Sequence, residues 1–383
     1  MKTLFLRRPS LVAAIAAMAI VVSSAAPGLA EDTQLRTLGK ADKPRFEIPE
    51  ITWPAAPGDA EICLWKDDKY AAISLTIDDN CGPDHAWWLE QAERHGFKLT
   101  WFVITDRVDG PNRFNGTWAD WQRLANAGHS IQSHTTNHRA AKKGEPPIPE
   151  EELHAMYRDS LAAINEHVTN NVACCIAYPR GEAHQNIAAQ YAIACRGVYG
   201  APSEVNTVDY LNVNEGNYSQ GYINVLLGEP ADEPKWLNKP DRRFRRGWCA
   251  ALHHLVHHGR TPEEIAASVA ATEARLANLA KYKDRIWIGT FPAVAKYGQE
   301  RDTATLSTVS SDAGRIALSL ADRMDDKLFD EPLTLKIRLP DAWKTVSATQ
   351  GGKAVAAGFV EHDGAPYALV DAVPDRGEIV IAQ

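Results

Sequence analysis

Between about residues 70 and 304 the chain alternates short apolar runs with longer stretches of helical period. Runs at 70–77, 98–104, 129–133, 173–178, 248–253 and 285–288 have strand length, and helical periodicity covers 83–95, 117–127, 150–168, 184–195 and 261–281. Such alternation predicts parallel βα units, since a parallel strand must return through a crossover that is usually a helix. Chain punctuation agrees: Thr261-Pro262-Glu263-Glu264 reads as a capping box with proline in the first turn, and Gly96 and Gly128 follow two other helical stretches. After about residue 304 the apolar period shortens to alternation at 315–320, 333–339, 344–348 and 377–381, with turns at Gly351-Gly352 and Asp363-Gly364. The expected architecture is α/β: an irregular (β/α) barrel over 69–304, preceded by an extension over 31–68 and followed by a small antiparallel β domain over 305–383. The stretch 200–247 has no clear period and reads as an elaborated rim or lid.

Residues 1–30 change the picture at the N-terminus. Lys2, Arg7 and Arg8 precede an apolar or small-residue run from Leu11 to Ala26, and Pro27-Gly28-Leu29-Ala30 leads into acidic Glu31-Asp32. This reads as a secretory signal peptide cut after Ala30, which places the protein outside the cytoplasm, secreted or periplasmic. The run is short for a membrane span, and no later segment is apolar enough for one. Without those residues 38 basic side chains face 49 acidic ones, so a polyanion such as nucleic acid is not an expected partner. The six cysteines, Cys63, Cys81, Cys174, Cys175, Cys195 and Cys249, fit no CxxC metal knuckle. Disulfides and buried thiols both remain open for them.

The chemistry is concentrated at predicted strand ends. Thr76-Ile77-Asp78-Asp79-Asn80 closes the first run, and His134-Thr135-Thr136-Asn137-His138 follows the third. Together they offer a carboxylate and two imidazoles for one divalent metal, with a second carboxylate alongside. Histidines at i and i+4 would share one face of a helical turn. Three protein ligands leave a coordination position open, as in catalytic rather than structural zinc sites. Taken singly, an Asp pair after a strand is more often a cap or turn, and a His pair is often incidental. Asp78, His134, Tyr178 and His253 all fall at or just past strand ends, however, the rim where βα barrels build active sites.

These motifs resemble those of the polysaccharide deacetylases that share the NodB homology domain, carbohydrate esterase family 4. Ile77-Asp78-Asp79-Asn80 is similar to the family's T-F-D-D-G, and the segment from Gly128 to His138 to its G-H-E-I-x-x-H-[ST]-x-x-H. Leu252-His253 resembles its L-x-H with one residue fewer between. The resemblance covers about residues 69–302 and implies a NodB-type barrel and a deacetylase of acetylated glycans. It implies one divalent metal, zinc, held by Asp79, His134 and His138, with Asp78 as general base and His253 as general acid. No other cofactor is implied.

Some positions depart from the family pattern. Ala177 stands where an arginine is expected to orient the base, so Arg180 or Arg196 is the candidate to steer Asp78, with Tyr178 a further candidate beside the site. Asn80 replaces a glycine, and the family's D-x-x-x-W is not identifiable. Two rival functions share this frame: a non-catalytic glycan-binding protein, which would not need a free base beside the metal, and a zinc amidase acting on a non-sugar amide. Trp87, Trp88, Trp118, Trp121, Tyr218, Tyr222 and Trp236 lie in or near rim segments, where core packing is the expectation for any one of them.

Overall fold

A computed structural model describes residues 34–39, 50–141, 144–231, 234–237 and 243–383. The signal peptide expected over residues 1–30 therefore lies outside the described residues. Gln34–Gln383 is one compact unit.

Strand β1 (Ala60–Ile62) precedes the barrel strands β2 (Ala71–Ile77), β3 (Thr100–Val103), β4 (Ser130–Ser133), β5 (Cys175–Ala177), β6 (Ala194–Arg196), β7 (Glu215–Gly216), β8 (Trp248–His253) and β9 (Ile286–Ile288). The barrel sheet runs β6-β5-β4-β3-β2-β8-β7, with every pair parallel. β9 pairs with the start of β2 and β3 with its end. Val213, just ahead of β7, makes a parallel bridge to Arg196, so the sheet closes through a single residue. Helices α1 (His85–His95), α2 (Trp118–Asn126), α3 (Glu150–His167), α4 (Gln185–Ala188), α5 (Gln220–Leu226), α6 (Pro262–Ala280) and α7 (Phe291–Thr303) complete the α/β unit.

Strand alternation divides the barrel side chains between two cores. Ile73, Leu75, Ile77, Trp101, Val103, Cys249 and Ala251 pack outward against the helix layer. Ala72, Phe102, Cys175, Ala177, Trp248 and Ala250 face inward and share a core with α7 and the C-terminal strands. That parity decides which rim residues meet, because a one-residue offset sends a side chain to the opposite face.

The C-terminal strands are β10 (Thr305–Ser311), β11 (Arg315–Ala321), β12 (Leu333–Arg338), β13 (Ser347–Gln350), β14 (Lys353–Val355), β15 (Ala357–His362), β16 (Ala365–Ala372) and β17 (Ile379–Ala382). They form two antiparallel sheets, β1-β12-β16-β15 and β10-β11-β17-β13-β14, and none joins the barrel sheet. The N-terminal extension is woven in: β1 pairs with β12, and Leu38 N donates to Gln299 Oε1 on α7 at 2.6 Å. Both glycine turns appear as expected, with Gly351, Gly352 and Gly364 at positive φ.

One expected element differs. The helix expected over 184–195 is only the four-residue α4, followed by turns and a bend over 189–193 and by β6, because Ala194–Arg196 completes the ladder beside β5. All six cysteines are buried free thiols. The Cys174 and Cys175 sulfurs lie 3.9 Å apart.

Where α7 meets the C-terminal sheets, burial raises the carboxyl of Glu300 to about 9, with Asp322 and Glu331 adding to it. Burial likewise raises Glu331 and Asp322 to about 7. Carboxyls raised in the fold contribute stability that is fully present below their unfolded value, about 4.3 for Glu, and is lost as pH rises through 7 and then 9. Glu300→Gln keeps an oxygen to accept from Glu331 N, now 3.2 Å from Oε2, and removes the last of these titrations. The variant should melt several degrees above the wild type at pH 9 and close to it at pH 5. Scanning calorimetry at both pH values checks this, and an equal offset at both would contradict it.

Candidate metal and catalytic site

The loop after β2 carries the carboxylates through an unusual backbone. Asp79, Asn80 and Cys81 are all left-handed, with φ of 61°, 65° and 44°. Outside glycine, Asn and Asp tolerate this region best, which explains how Asn80 serves where the family has glycine. Its side chain also fastens the loop: Asn80 Oδ1 accepts from Ile104 N at 2.8 Å, and Nδ2 donates to Asn115 O at 2.8 Å. The Asn80 carbonyl accepts from His85 Nε2 at 2.7 Å. Strained backbone held this firmly clusters at functional sites.

The two histidines follow β4, but not on a helical turn. Residues 134–138 form a loop in which Thr135 and His138 are left-handed, at φ 67° and 59°. Thr135 N donates to Ser133 Oγ and His138 N to Thr135 Oγ1, each at 3.0 Å, so hydroxyl turns replace the helical ladder. The rings nevertheless converge, with centroids 4.5 Å apart.

Asp79, His134 and His138 each offer one donor atom, and the three atoms lie within 4.8 Å of one another. His134 Nε2 is 3.8 Å and His138 Nε2 is 3.6 Å from Asp79 Oδ1. That oxygen is buried and lacks a hydrogen-bond partner. His134 Nδ1 is 2.8 Å from the Ala177 carbonyl, so Nδ1 carries the proton and Nε2 keeps its lone pair. A ring nitrogen fixed by a backbone carbonyl is the usual support of a metal-ligating histidine. Burial, only partly opposed by Asp78, lowers His134 to about 4; burial also lowers His138, against the pull of Asp79. Neutral rings and an orphaned carboxylate oxygen fit a divalent cation.

Asp78 points into the barrel, 2% exposed, with Oδ2 3.4 Å from His134 Nε2. Arg196 Nη2 donates to Asp78 Oδ2, and this pair is buried on both sides. Arg196 stands in register beside Ala177, so the guanidinium missing from β5 is supplied by the next strand. Burial pushes the Asp78 carboxyl up, but Arg196, His134 and His254 outweigh it and hold it below the usual range. Asp78 is therefore ionised at neutral pH, and its Oδ1 has no partner.

The remaining candidates separate. Arg180 is exposed on the rim at φ 53°, near enough for its charge to lower His138 but not paired with Asp78. Tyr178 packs on the outer face of the barrel, and its hydroxyl donates to Leu211 O at 2.8 Å, so it does not reach the site. His253 also lies away from the cluster. It follows Cys249 and Ala251 to the outer face, against Trp88 and Tyr218, with centroids 4.9 and 5.3 Å away. His254 takes the rim position instead, with Nε2 3.7 Å from Asp79 Oδ2. The sequence did carry that signal, since Leu252-His253-His254 satisfies L-x-H at its proper spacing.

Two further residues shape the site. Asp84, fully buried, accepts from Val256 N and from His257 through N at 3.3 Å and Nδ1 at 2.6 Å. It thereby ties the loop after β8, which carries His254, to the loop that carries Asp79. Glu215 on β7 is raised by burial, and the charges of Arg196, Asp78 and His254 all act on it, which makes it a neighbour of the centre. Of the rim aromatics, Trp88, Trp121, Tyr218 and Tyr222 are buried, whereas Trp236 is 48% exposed.

Residues 66–195 match the polysaccharide deacetylase family. A Bacillus sp. protein named gellan lyase is 39% identical over 345 residues, 86% of this chain. The chain spans only 13% of that relative's length. Among solved structures, a Streptococcus pyogenes deacetylase in complex with acetate is 22% identical over 39% of this chain and 67% of its own, at a TM-score of 0.35. The CE4 domain of a multidomain xylanase from a Trinervitermes trinervoides hindgut metagenome is 17% identical over 58% of this chain and 88% of its own, at 0.36. A Bacillus anthracis protein described as a CE4 family pseudoenzyme is 14% identical over 59% of this chain and 66% of its own, at 0.35.

Proposed function

We propose that the protein is a metal-dependent hydrolase that removes acetyl groups from a carbohydrate, acting outside the cytoplasm. The observation that carries this reading is Asp78: a buried, ionised carboxylate with one oxygen held by Arg196 and the other without a partner, beside a three-donor cluster. A binding protein has no use for such a base, and its retention costs stability.

Asp79, His134 and His138 would hold one divalent ion, with zinc suited to the mixed oxygen and nitrogen donors. Such an ion, when bound, polarises a carbonyl and makes water a usable nucleophile near neutral pH. Asp78 is placed to take the proton from the attacking water through its free oxygen, while Arg196 fixes the carboxylate's orientation. His254, on the opposite side of Asp79, is placed to protonate the departing sugar nitrogen or oxygen. Acetate and the free amine or hydroxyl are the products.

Acetate release from a panel of N- and O-acetylated glycans tests the activity, and Asp78→Asn should abolish it on every substrate that the wild type uses. The strand parity makes a sharper claim about the acid. His254→Ala should lower turnover by about 10²-fold or more, the contribution of one general acid, with metal content unchanged. Turnover that stays normal in His254→Ala and collapses in a His253→Ala variant that still binds metal would return the role to His253.

A further inference from the structure

We propose that the cavity beside His254, between β8, α6 and the Asn217-Tyr218 turn, is a subsite for a carboxylate carried by the glycan, so that the natural substrate is an acidic polysaccharide. The inference rests on the deacetylase reading of the neighbouring centre. The cavity holds about 370 Å³ and is walled by Tyr218, His253, Ser268, Thr272 and Arg275, with His254 belonging to both sites.

Three polar atoms on residues lining this space are buried without a partner: His253 Nε2, the Tyr218 hydroxyl and Arg275 Nε. Interiors satisfy nine in ten or more of such groups, and each one left unmet costs about 1–3 kcal/mol. That three of them belong to residues lining one cavity favours a polar occupant. The charge of that occupant follows from Arg275, whose guanidinium lies over the Tyr218 ring, 5.5 Å from its centroid, and donates from Nη2 to Thr272 Oγ1 at 3.3 Å. No carboxylate among the described residues pairs with it. The adjacent Glu273 accepts from Gln91 instead, in a chain whose acids outnumber its bases by 49 to 41.

His253 adds no opposing charge. Burial first, then Arg275 and His254, lower its imidazole to about 3, so it stays neutral. A neutral ring, a phenol and an uncompensated guanidinium together favour an anion that accepts several hydrogen bonds. A planar carboxylate matches the guanidinium fork in a way that a sugar hydroxyl cannot. Because His254 borders both places, the carboxylate would sit on the sugar that bears the acetyl group or on the next one. His253 would then serve the substrate's acid group as a binding residue.

Titrating the metal-loaded protein with methyl β-glucuronide and with methyl β-glucoside, while following the His253 imidazole by NMR, tests the subsite. The glucuronide should shift the His253 signals and bind at least tenfold more tightly than the glucoside, and Arg275→Gln should abolish that preference. Equal binding of the two sugars, binding of neither, or a preference that survives Arg275→Gln would overturn the proposal. The readout separates the two claims: no preference in a protein that still releases acetate from neutral glycans refutes the subsite alone. Glucuronide binding with no acetate released from any glycan refutes the deacetylase reading alone.

Discussion

The double variant His134→Ala, His138→Ala is expected to lose its metal and, with it, all measurable deacetylation. Two of the three donors disappear, and Asp79 is the one that remains. Outer partners of metal ligands are worth about 10–100-fold in affinity or activity, so the loss of two ligands should exceed that range. Folding should survive, because the side-chain hydrogen bond surrendered is His134 Nδ1 to Ala177 O, while the turns of residues 133–138 are held by Ser133 and Thr135 hydroxyls. Elemental analysis beside circular dichroism decides the matter. One equivalent of metal remaining in a folded double variant would remove these residues from the ligand set.

Arg196→Met has the second large effect, and it separates two consequences of one ion pair. The guanidinium and the Asp78 carboxylate are both buried, so its removal leaves a charge in the barrel without its partner. Breaking a buried pair in this way costs about 3–5 kcal/mol, unless the carboxyl relieves the strain by taking up a proton. Either route is measurable. With Arg196 gone, burial is opposed only by the more distant His134 and His254, and the Asp78 carboxyl should rise. The sign is fixed: a base with a raised pKa is protonated over more of the acid range, so the acid limb of the turnover profile should move to higher pH. Turnover at neutral pH should fall by about 10²–10⁴-fold, the range of general-base catalysis. Arg196→Lys should recover part of it. A stable Arg196→Met protein with an unmoved acid limb would show that Asp78 is not the group that titrates.

Much of the fold was legible because the parallel strands read as apolar runs and the helices carried caps: the six strands expected between residues 70 and 288 all appear within a few residues. What escaped was set by pairing rather than by local pattern. Ala194–Arg196 lies in an alanine-rich stretch of good helix formers, and only β5 on one side and Val213 on the other make it a strand. The donor cluster was readable from residue types and spacing, although the spacing suggested a helical turn and the structure uses a loop. The rim position of His254 was not legible for a plainer reason. Trp248-Cys249-Ala250-Ala251 is apolar on both faces, so alternation along β8 carries no hint of which side is inward. The parity is fixed by β2, where Ile77 pairs with His253 and Asp78 N donates to His253 O at 2.9 Å. Arg196 could be named only as one of two arginines, because its partnership with Asp78 crosses 118 residues of sequence.

The central claim is that Asp78 and the adjoining donors make a deacetylase, and acetate release by the metal-loaded, chelated and Asp78→Asn proteins on acetylated acidic glycans tests it most directly. The account predicts stoichiometric acetate from the loaded protein, none after chelation, restoration on return of zinc, and none from Asp78→Asn at full metal occupancy. Acetate release that survives both chelation and Asp78→Asn, or cleavage of the glycan chain with no acetate released, would contradict it.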